Sequence, residues 1–354
     1  MFFTKRESTT STVTERQTPH TYWRMVWRHF KKKHLSIAGL GVTIFLFAVA
    51  IFAPLLANDR PILARHDGAW YWPLFSDLSK VGPYDWAELK KQNPIVYQPG
   101  QEVSGDFFIW PLVPYSPTEY NLLESLEPPG SKHWFGTDDR GRDVLSRMIY
   151  GARISLSVGF VAVGIAVLIG IFLGALAGYF GGWTDHLISR LIEILLTIPT
   201  FFLIIAIIAF LPPSIYNIMV VIGLTGWTGV ARFVRAEFFK LKRLDFIMAS
   251  RALGASHARL ILVHMLPNSM APVLVSAVFG VAGAILTESS LSFLGFGVPP
   301  PTPSWGDILS QSRDYIEFAW WLTTFPGLAI FLSITAYNLV GEGLRDAMDP
   351  KLFR

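Results

Sequence analysis

The chain has 354 residues, of which 51% are hydrophobic and 16% are charged, and its formal net charge is +4. Soluble domains carry roughly 25% charged residues and disordered chains carry few apolar ones, so this composition excludes both classes. The sequence contains no cysteine, which excludes disulfides, thiolate nucleophiles and cysteine-bound metal ions. The composition therefore indicates an integral membrane protein.

The N-terminal segment is strongly basic. Residues 1–34 hold eight Lys or Arg against two acidic residues and end close after three consecutive lysines. Because such an excess beside a span is typical of the cytoplasmic side, we predict a cytoplasmic tail at 1–34 that contacts anionic membrane lipid. Nucleic-acid binding is not expected, since the tail shows no recognisable fold for it. Residues 35–57 carry no charge and are long enough to form the first transmembrane helix.

Five later apolar segments predict an all-α integral membrane protein with six transmembrane helices, since about 20 apolar residues cross the hydrocarbon layer. These helices are expected at about 154–180, 190–211, 214–232, 269–295 and 319–341. Six crossings return the chain to its starting side, so residues 346–354 are predicted to form a cytoplasmic tail. Gly170, Gly174 and Gly178 recur every four residues, a spacing that lets helices approach closely.

Residues 58–153 are expected to form a periplasmic insertion after the first helix. Its first part, 58–131, contains twelve aromatic residues and ten prolines, which favours an irregular folded segment because proline breaks long helices. This segment is either a spacer packed on the spans or a docking surface for a soluble partner, and the sequence favours neither.

The second part of the insertion alternates Asp and Arg over residues 136–147, which predicts a hydrogen-bonded turn followed by a helix start. Asp143 and Arg147 have the (i, i+4) spacing that places two side chains on one helix face. The adjacent arginines neutralise the aspartates, so no metal site is expected. The candidates for a structural or gating role are Asp138, Arg140, Arg142, Asp143 and Arg147.

Glu288 lies near the outer end of the fifth predicted span, where an unpaired acid is costly. It is either a gating residue of the translocation path or a buried cap. The cap, hydrogen-bonded to Ser289, Ser290 or backbone donors of the following loop, is the favoured interpretation.

The predicted cytoplasmic loop 233–268 contains two short helices. The first is amphipathic and ends at Leu253, where Gly254 provides a left-handed C-cap. Ser256 is suited to cap a second helix, which is expected to end before a break at Pro267-Asn268. Small alanines on the loop permit close approach by another protein, and they are Ala249, Ala252 and Ala255.

This loop resembles a signature of ABC-importer permease subunits, which reads Glu-Ala-Ala, three residues, Gly, nine residues, Ile, one residue, Leu-Pro. The matching positions are Ala249, Gly254, Leu266 and Pro267. The departures are Met248, Ser250 and His264.

Other segments are similar to the dipeptide/oligopeptide (OppBC/DppBC) branch of that family. They are residues 136–147, 288–298, 303–306 and 341–350. Residues 57–61 and 65–73 look like the YejE subgroup of microcin C/oligopeptide transporters, which also has an enlarged outer loop.

The resemblance implies the type I (MetI-like) importer permease fold, with an ABC transmembrane type-1 domain at 154–345, in the bacterial inner membrane. The implied partners are a second homologous permease subunit, two cytoplasmic ABC ATPase subunits and a periplasmic peptide-binding protein. The implied function is ATP-driven import of oligopeptides or microcin C-like peptides. The residues expected to couple transport to the ATPases are Met248, Ala249, Ser250, Arg251, Ala252, Leu253, Gly254, Ala255, Ser256 and Pro267.

The sequence contains no Gly-x-x-x-x-Gly-Lys-Ser/Thr motif, so the usual phosphate-binding loop is missing. We therefore expect a transport subunit that is not itself an enzyme and binds no cofactor, with ATP and Mg²⁺ held by partner subunits. The alternative is a secondary transporter or channel for small solutes. Paired intramembrane charges and an inverted repeat, which would favour that alternative, are not found in the sequence.

Overall fold

The computed structural model describes residues 22–66, 69–74, 80–81, 84–85 and 107–349. The predicted cytoplasmic tails therefore lie outside the described residues at 1–21 and 350–354. Several stretches of the predicted insertion between 67 and 106 also lie outside them.

Helices dominate the described residues. In chain order they are α1 (Tyr22–Lys31), α2 (His34–Ile51), α3 (Ala53–Leu56), α4 (Val144–Phe180), α5 (Gly182–Thr197), α6 (Thr200–Ala209), α7 (Ile215–Leu241), α8 (Asp245–Ala252), α9 (His257–Phe293), α10 (Trp305–Gln311) and α11 (Trp321–Ala347). Short 3₁₀ turns occur at Leu122–Glu124 and Ser312–Asp314. By length and composition, α2, α4, α7, α9 and α11 can cross a membrane, and the bent pair α5–α6 supplies a sixth candidate span.

Helix α4 begins at Val144, well before the predicted start at 154. The cause is a cap, because the Asp143 carboxylate accepts a hydrogen bond from the Ser146 N–H at 2.7 Å and satisfies a donor of the first turn. The end of the predicted insertion is therefore helical and continuous with the second span.

The third span was predicted as one helix at 190–211, and this is wrong. The structure has α5 and α6 instead, with an 84° bend between them. Proline causes the break, because Pro199 lacks an N–H donor and disfavours helical geometry at the residue before it. Ile198 accordingly has an extended backbone, with φ −96° and ψ 125°.

The predicted break at Pro267-Asn268 is also wrong, since α9 continues through both residues. A π segment at Leu260–Met265 precedes the proline, and the Leu266 N–H donates to the Ile261 carbonyl. Pro267 then lies in the first turn of the α segment Leu266–Phe293, where a missing donor is tolerated. Helices α7 and α9 thus extend into the predicted loop 233–268 from both sides of α8.

The insertion contains β-strands that the sequence did not predict. Strand β1 (Leu63–His66) pairs antiparallel with β2 (Ala69–Tyr71), and β5 (Phe107–Ile109) pairs with the other edge of β1. Strands β3 (Lys80–Val81) and β4 (Tyr84–Asp85) form a separate hairpin. Ala64 of β1 and Phe108 of β5 lie opposite each other, and both side chains are buried. This pair gives the three-stranded sheet a small apolar core.

The three glycines at four-residue spacing allow α4 to pack closely on α7. A Cβ added at Gly170 would lie 2.6 Å from Val230 Cβ, one at Gly174 would lie 2.5 Å from the Ala231 carbonyl oxygen, and one at Gly178 would lie 2.5 Å from Phe238 Cβ. The predicted role of these glycines in helix packing is therefore confirmed.

Candidate functional site

Helix α8 projects its apolar side chains outward. Phe246 and Met248 are exposed, and Leu253, directly after the helix, is 88% exposed. Within α8 only Ile247 is buried. It belongs to an apolar cluster with Phe238 of α7 and Leu260 of α9. One side chain thus anchors a helix whose other apolar residues have no cover from the described part of this chain.

The predicted glycine turn follows α8. The Ala255 N–H donates to the Ser250 carbonyl and the Gly254 N–H donates to the Arg251 carbonyl, which is the bond pattern of a Schellman motif. Gly254 has φ +85°, a conformation that glycine adopts without steric cost. The Ser256 hydroxyl then accepts from the Arg259 N–H and caps α9, as predicted.

Hydrogen bonds of Tyr179 and Lys242, two residues that the sequence analysis did not identify, stabilise the turn. The Tyr179 hydroxyl lies 2.6 Å from His257 Nδ1, and the Lys242 ammonium donates to the Tyr179 carbonyl at 2.6 Å. These bonds connect the ends of α4 and α7 to the start of α9. We call residues 245–259 the coupling projection.

The remaining predicted coupling residues lie on or near this projection. Ala249, Arg251 and Ala252 are exposed, and Ser250 and Ala255 are partly exposed. Pro267 is exposed but lies further along α9, beyond the π segment.

A second group of predicted residues forms an ion-pair network at the start of α4. Asp138 is fully buried, and its carboxylate accepts from Arg142 Nε at 2.7 Å. Arg147, also buried, lies with its Nε 3.4 Å from Asp138 and donates from Nη2 to Asp307 at 2.6 Å. Burial raises the pKa of Asp307, and the neighbouring Arg147 guanidinium only partly offsets this. The network connects the turn before α4 to α10.

Asp143 and Arg147 do not pair with each other as their spacing suggested. Asp143 is the N-cap of α4, and its second oxygen bonds His133 Nδ1 at 2.9 Å. Arg147 turns to Asp138 and Asp307. Arg140 is exposed and contributes its backbone N–H to Asp138.

His133 bridges two carboxylates, since its Nε2 lies 3.1 Å from Glu124. Burial lowers the pKa of His133, but the hydrogen bonds and charges of Asp143 and Glu124 outweigh it and raise the pKa above 6.5. Burial raises the pKa of Glu124, but hydrogen bonds from Lys132 and His133 bring it below 4.5. Ligand atoms of Glu124, Glu127 and His133 lie within 4.8 Å of one another. Both nitrogens of His133 are already bonded, so this group fits a hydrogen-bonded cluster better than a metal site.

Glu288 is completely buried among serine hydroxyls. It accepts from Ser292 at 2.8 Å, from Ser155 of α4 at 3.3 Å and from Ser289 at 3.5 Å. Ser155 in turn accepts from the Trp305 N–H at 3.3 Å. These bonds surround a buried carboxyl inside α9 and connect it to α4 and, through Ser155, to α10. Of the predicted partners, Ser289 bonds Glu288, whereas Ser290 bonds the Leu286 carbonyl instead.

A cavity of about 240 Å³ lies between α4, α6, α7 and α9. Its lining consists of apolar and hydroxyl-bearing side chains and of glycines, and includes Thr200, Thr225, Ser276 and Thr287. The lining carries no charged side chain.

Two family descriptions match the sequence. Residues 170–354 match "Binding-protein-dependent transport system inner membrane component", and residues 21–71 match "N-terminal TM domain of oligopeptide transport permease C".

Among curated relatives, the dipeptide transport system permease protein DppC of Alkalihalophilus pseudofirmus is 37% identical over 93% of this chain and 90% of that protein. The inner membrane ABC transporter permease protein YejE of Escherichia coli is 35% identical over 92% and 96%, respectively. The oligopeptide transport system permease protein OppC of Bacillus subtilis is 41% identical over 93% and 90%.

A solved structure of the inward-facing MetNI methionine ABC transporter matches 56% of this chain and 95% of that chain, with a TM-score of 0.47 and 18% identity. The family matches and the curated relatives together cover both the helical bundle and the first span. The chain therefore belongs to the family of inner membrane components of binding-protein-dependent transport systems, within the branch of the dipeptide and oligopeptide permeases.

Proposed function

We propose that this chain is a permease subunit of an ATP-driven importer that moves peptides across the bacterial inner membrane into the cytoplasm. The proposal is supported by relatives that are named as dipeptide and oligopeptide transport permeases and that align with at least nine tenths of this chain. The uncharged cavity between α4, α6, α7 and α9 is compatible with passage of peptides that differ in side-chain charge.

The energy for import comes from other subunits in this proposal. The sequence lacks the phosphate-binding loop motif, so ATP and Mg²⁺ are assigned to two cytoplasmic ATPases. A second permease subunit completes the membrane pathway, and a periplasmic binding protein delivers the peptide.

The coupling projection is the proposed docking site for an ATPase. The observation that carries this assignment is the exposure of Met248 on α8 and of Leu253 directly after it, on a projection that Ile247 anchors to the bundle. Exposed apolar side chains on a structured projection are typical of a contact with another protein. Since the Tyr179–His257 hydrogen bond connects the projection to α4, and Lys242 after α7 bonds the same tyrosine, a movement of α8 would be transmitted to the spans.

The proposed orientation places both chain ends in the cytoplasm. Phe30 of α1 shares an apolar cluster with Ala347 and Met348 at the end of α11, so the two ends lie on one side of the bundle. The excess of Lys and Arg in residues 1–34 favours the cytoplasmic side for both.

The test is co-purification of the ATPases with a tagged full-length chain from its own host. Leu253→Asp places a charge at a side chain that is 88% exposed, so the variant should insert into the membrane normally. The charge should prevent the ATPases from binding, so the eluate should no longer hydrolyse nucleotide. Leu123→Asp is the matched control, because Leu123 is 94% exposed in the insertion. Retention of the ATPases by Leu253→Asp, or their equal loss in the control, would contradict the docking assignment.

A further inference from the structure

Helix α1 has a basic face and contains no acidic residue within Tyr22–Lys31. It reads Tyr-Trp-Arg-Met-Val-Trp-Arg-His-Phe-Lys. Arg24, Arg28 and Lys31 follow one another at four- and three-residue spacing, which places them on one side of a helix. All three are exposed.

The opposite side of α1 is held by the protein. Val26 and Phe30 are buried in a cluster with Ala347 and Met348 of α11 and its C-terminal end, and Leu274 of α9 packs on the same cluster. Directly after α1, the Lys33 ammonium pairs with Asp346. These contacts hold α1 against the C-terminal end of α11 and against the side of α9.

Tryptophans separate the buried face from the basic face. At 100° per residue, Trp23 and Trp27 fall between the direction of Val26 and Phe30 and the direction of the cations. Trp23 is 54% exposed and Trp27 47%, and the Lys31 ammonium lies 5.1 Å from the centroid of the Trp27 ring. A helix with tryptophan beside Lys and Arg is typical of the boundary between hydrocarbon and headgroups.

The position of α1 along the chain is that of a helix on the membrane surface. Its ten residues are too few to span about 30 Å of hydrocarbon, and the candidate span α2 begins at His34 only a few residues later. If α2 spans the membrane, the tryptophan side is expected at the level of the headgroups of the adjoining leaflet.

We propose that the basic face of α1, formed by Arg24, Arg28 and Lys31, is a binding site for the headgroups of anionic phospholipids. The phosphate of the headgroup would bind the cations, and Trp23 and Trp27 would contact the upper part of the acyl chains. Because the buried face of α1 packs on the C-terminal end of α11 and on Leu274 within α9, a bound lipid would stabilise the contact of α1 with these two spans. The inference depends on membrane insertion of α2 and not on peptide transport or ATPase docking.

The absence of cysteine permits a direct test on the full-length chain. Lys32→Cys places a single fluorescent label next to the basic face, and the protein is reconstituted in vesicles of phosphatidylcholine and phosphatidylglycerol in which one lipid at a time is brominated. We expect brominated phosphatidylglycerol to quench the label more strongly than its mole fraction predicts. Each cation that binds a headgroup should enrich phosphatidylglycerol near the label roughly fivefold over the bulk membrane. The enrichment should decrease as salt is added.

A triple variant and a second label position make the test specific. Arg24→Gln, Arg28→Gln and Lys31→Gln together should abolish the enrichment, whereas Arg24→Lys with Arg28→Lys should retain it. A label at Phe331→Cys, an exposed position within α11, should report no preference in any variant. Equal quenching by the two lipids at residue 32, or an enrichment that survives the triple glutamine variant, would overturn the proposal. Quenching by neither lipid would also overturn it, because it would show that a protein partner covers this face.

Discussion

Gly254 determines how the coupling projection turns. Its φ of +85° costs a side chain with a Cβ about 1–2 kcal/mol, and asparagine tolerates this region better than most residues. Among the described residues, no atom lies within 4 Å of an added Cβ, so backbone conformation and not crowding limits this position.

We therefore expect Gly254→Leu to abolish peptide uptake in cells while the chain still inserts into the membrane at its normal level. Gly254→Asn should retain most of the uptake, because it preserves the left-handed turn. Uptake and membrane abundance are measured side by side in a strain that lacks the wild-type chain. Normal uptake by the leucine variant would count heavily against a rigid turn as the coupling element.

Arg147 is the central cation of the network before α4. It is almost completely buried between Asp138 and Asp307, and its removal leaves carboxylates in a site of low polarity. Breaking a buried ion pair in this way costs about 3–5 kcal/mol.

Arg147→Met should therefore lower the temperature of unfolding of the detergent-purified chain by many degrees. Arg190→Met is the matched control, since Arg190 pairs with Glu193 at 3.1 Å and both side chains are mostly exposed. Such surface pairs contribute about 0–1 kcal/mol. Similar unfolding temperatures for the two variants would show that the buried network does not stabilise this region.

Individual residues were predictable where their role is local in sequence. The turn at Gly254 and the Ser256 cap follow from residues that are neighbours along the chain. Asp307 as the partner of Arg147, and His133 as the partner of Asp143, were not predicted. The first pair is separated by 160 residues, and a helical spacing cannot reveal such a contact.

At the scale of whole elements, the packing of α4 on α7 depends on how closely two backbones approach. Gly174 allows this approach, because an added Cβ would lie 2.5 Å from the Ala231 carbonyl oxygen. Gly164 is on the same helix, but no atom of the part of the chain that the structure describes lies within 4 Å of its added Cβ.

Gly174→Ala should therefore destabilise the bundle by about 1–3 kcal/mol, the usual cost of overpacking. Gly164→Ala should leave stability unchanged or slightly raised, because alanine is the better helix former. Thermal unfolding of the two purified variants makes the comparison. If both variants unfold at the wild-type temperature, α4 and α7 do not pack through these glycines.

The existence of the spanning helices was predictable from apolar runs, but their continuity was not, and the short helices α1 and α10 were not predicted. Pro199 breaks the third span by 84°, whereas Pro267 lies inside a continuous α9. The difference arises from the π segment at Leu260–Met265, whose hydrogen bonds adjust before the proline. The strands of the insertion were missed because they are only two to four residues long, too short for an alternating pattern to be distinct.

At the scale of the whole molecule, the described residues divide into a bundle, an insertion and one exposed projection. The bundle holds its chain ends together through α1 and α11. The ion-pair network and Ser155 join α4 to α10, and Glu288 joins α9 to α4. The projection is the place where apolar side chains of a short helix leave the bundle. Composition and the loop signature were sufficient to predict this division, because both depend on hydrophobicity and on residues adjacent in sequence.

The central claim is that the coupling projection lies in the cytoplasm and binds an ATPase. Leu253→Cys provides a unique thiol in a chain without cysteine, and a membrane-impermeant maleimide reports its exposure in sealed vesicles of defined orientation. We predict labelling in inside-out vesicles stripped of ATPases, protection when the ATPases are present, and no labelling in right-side-out vesicles. Labelling of residue 253 from the outer side, or labelling that the ATPases do not reduce, would contradict the account.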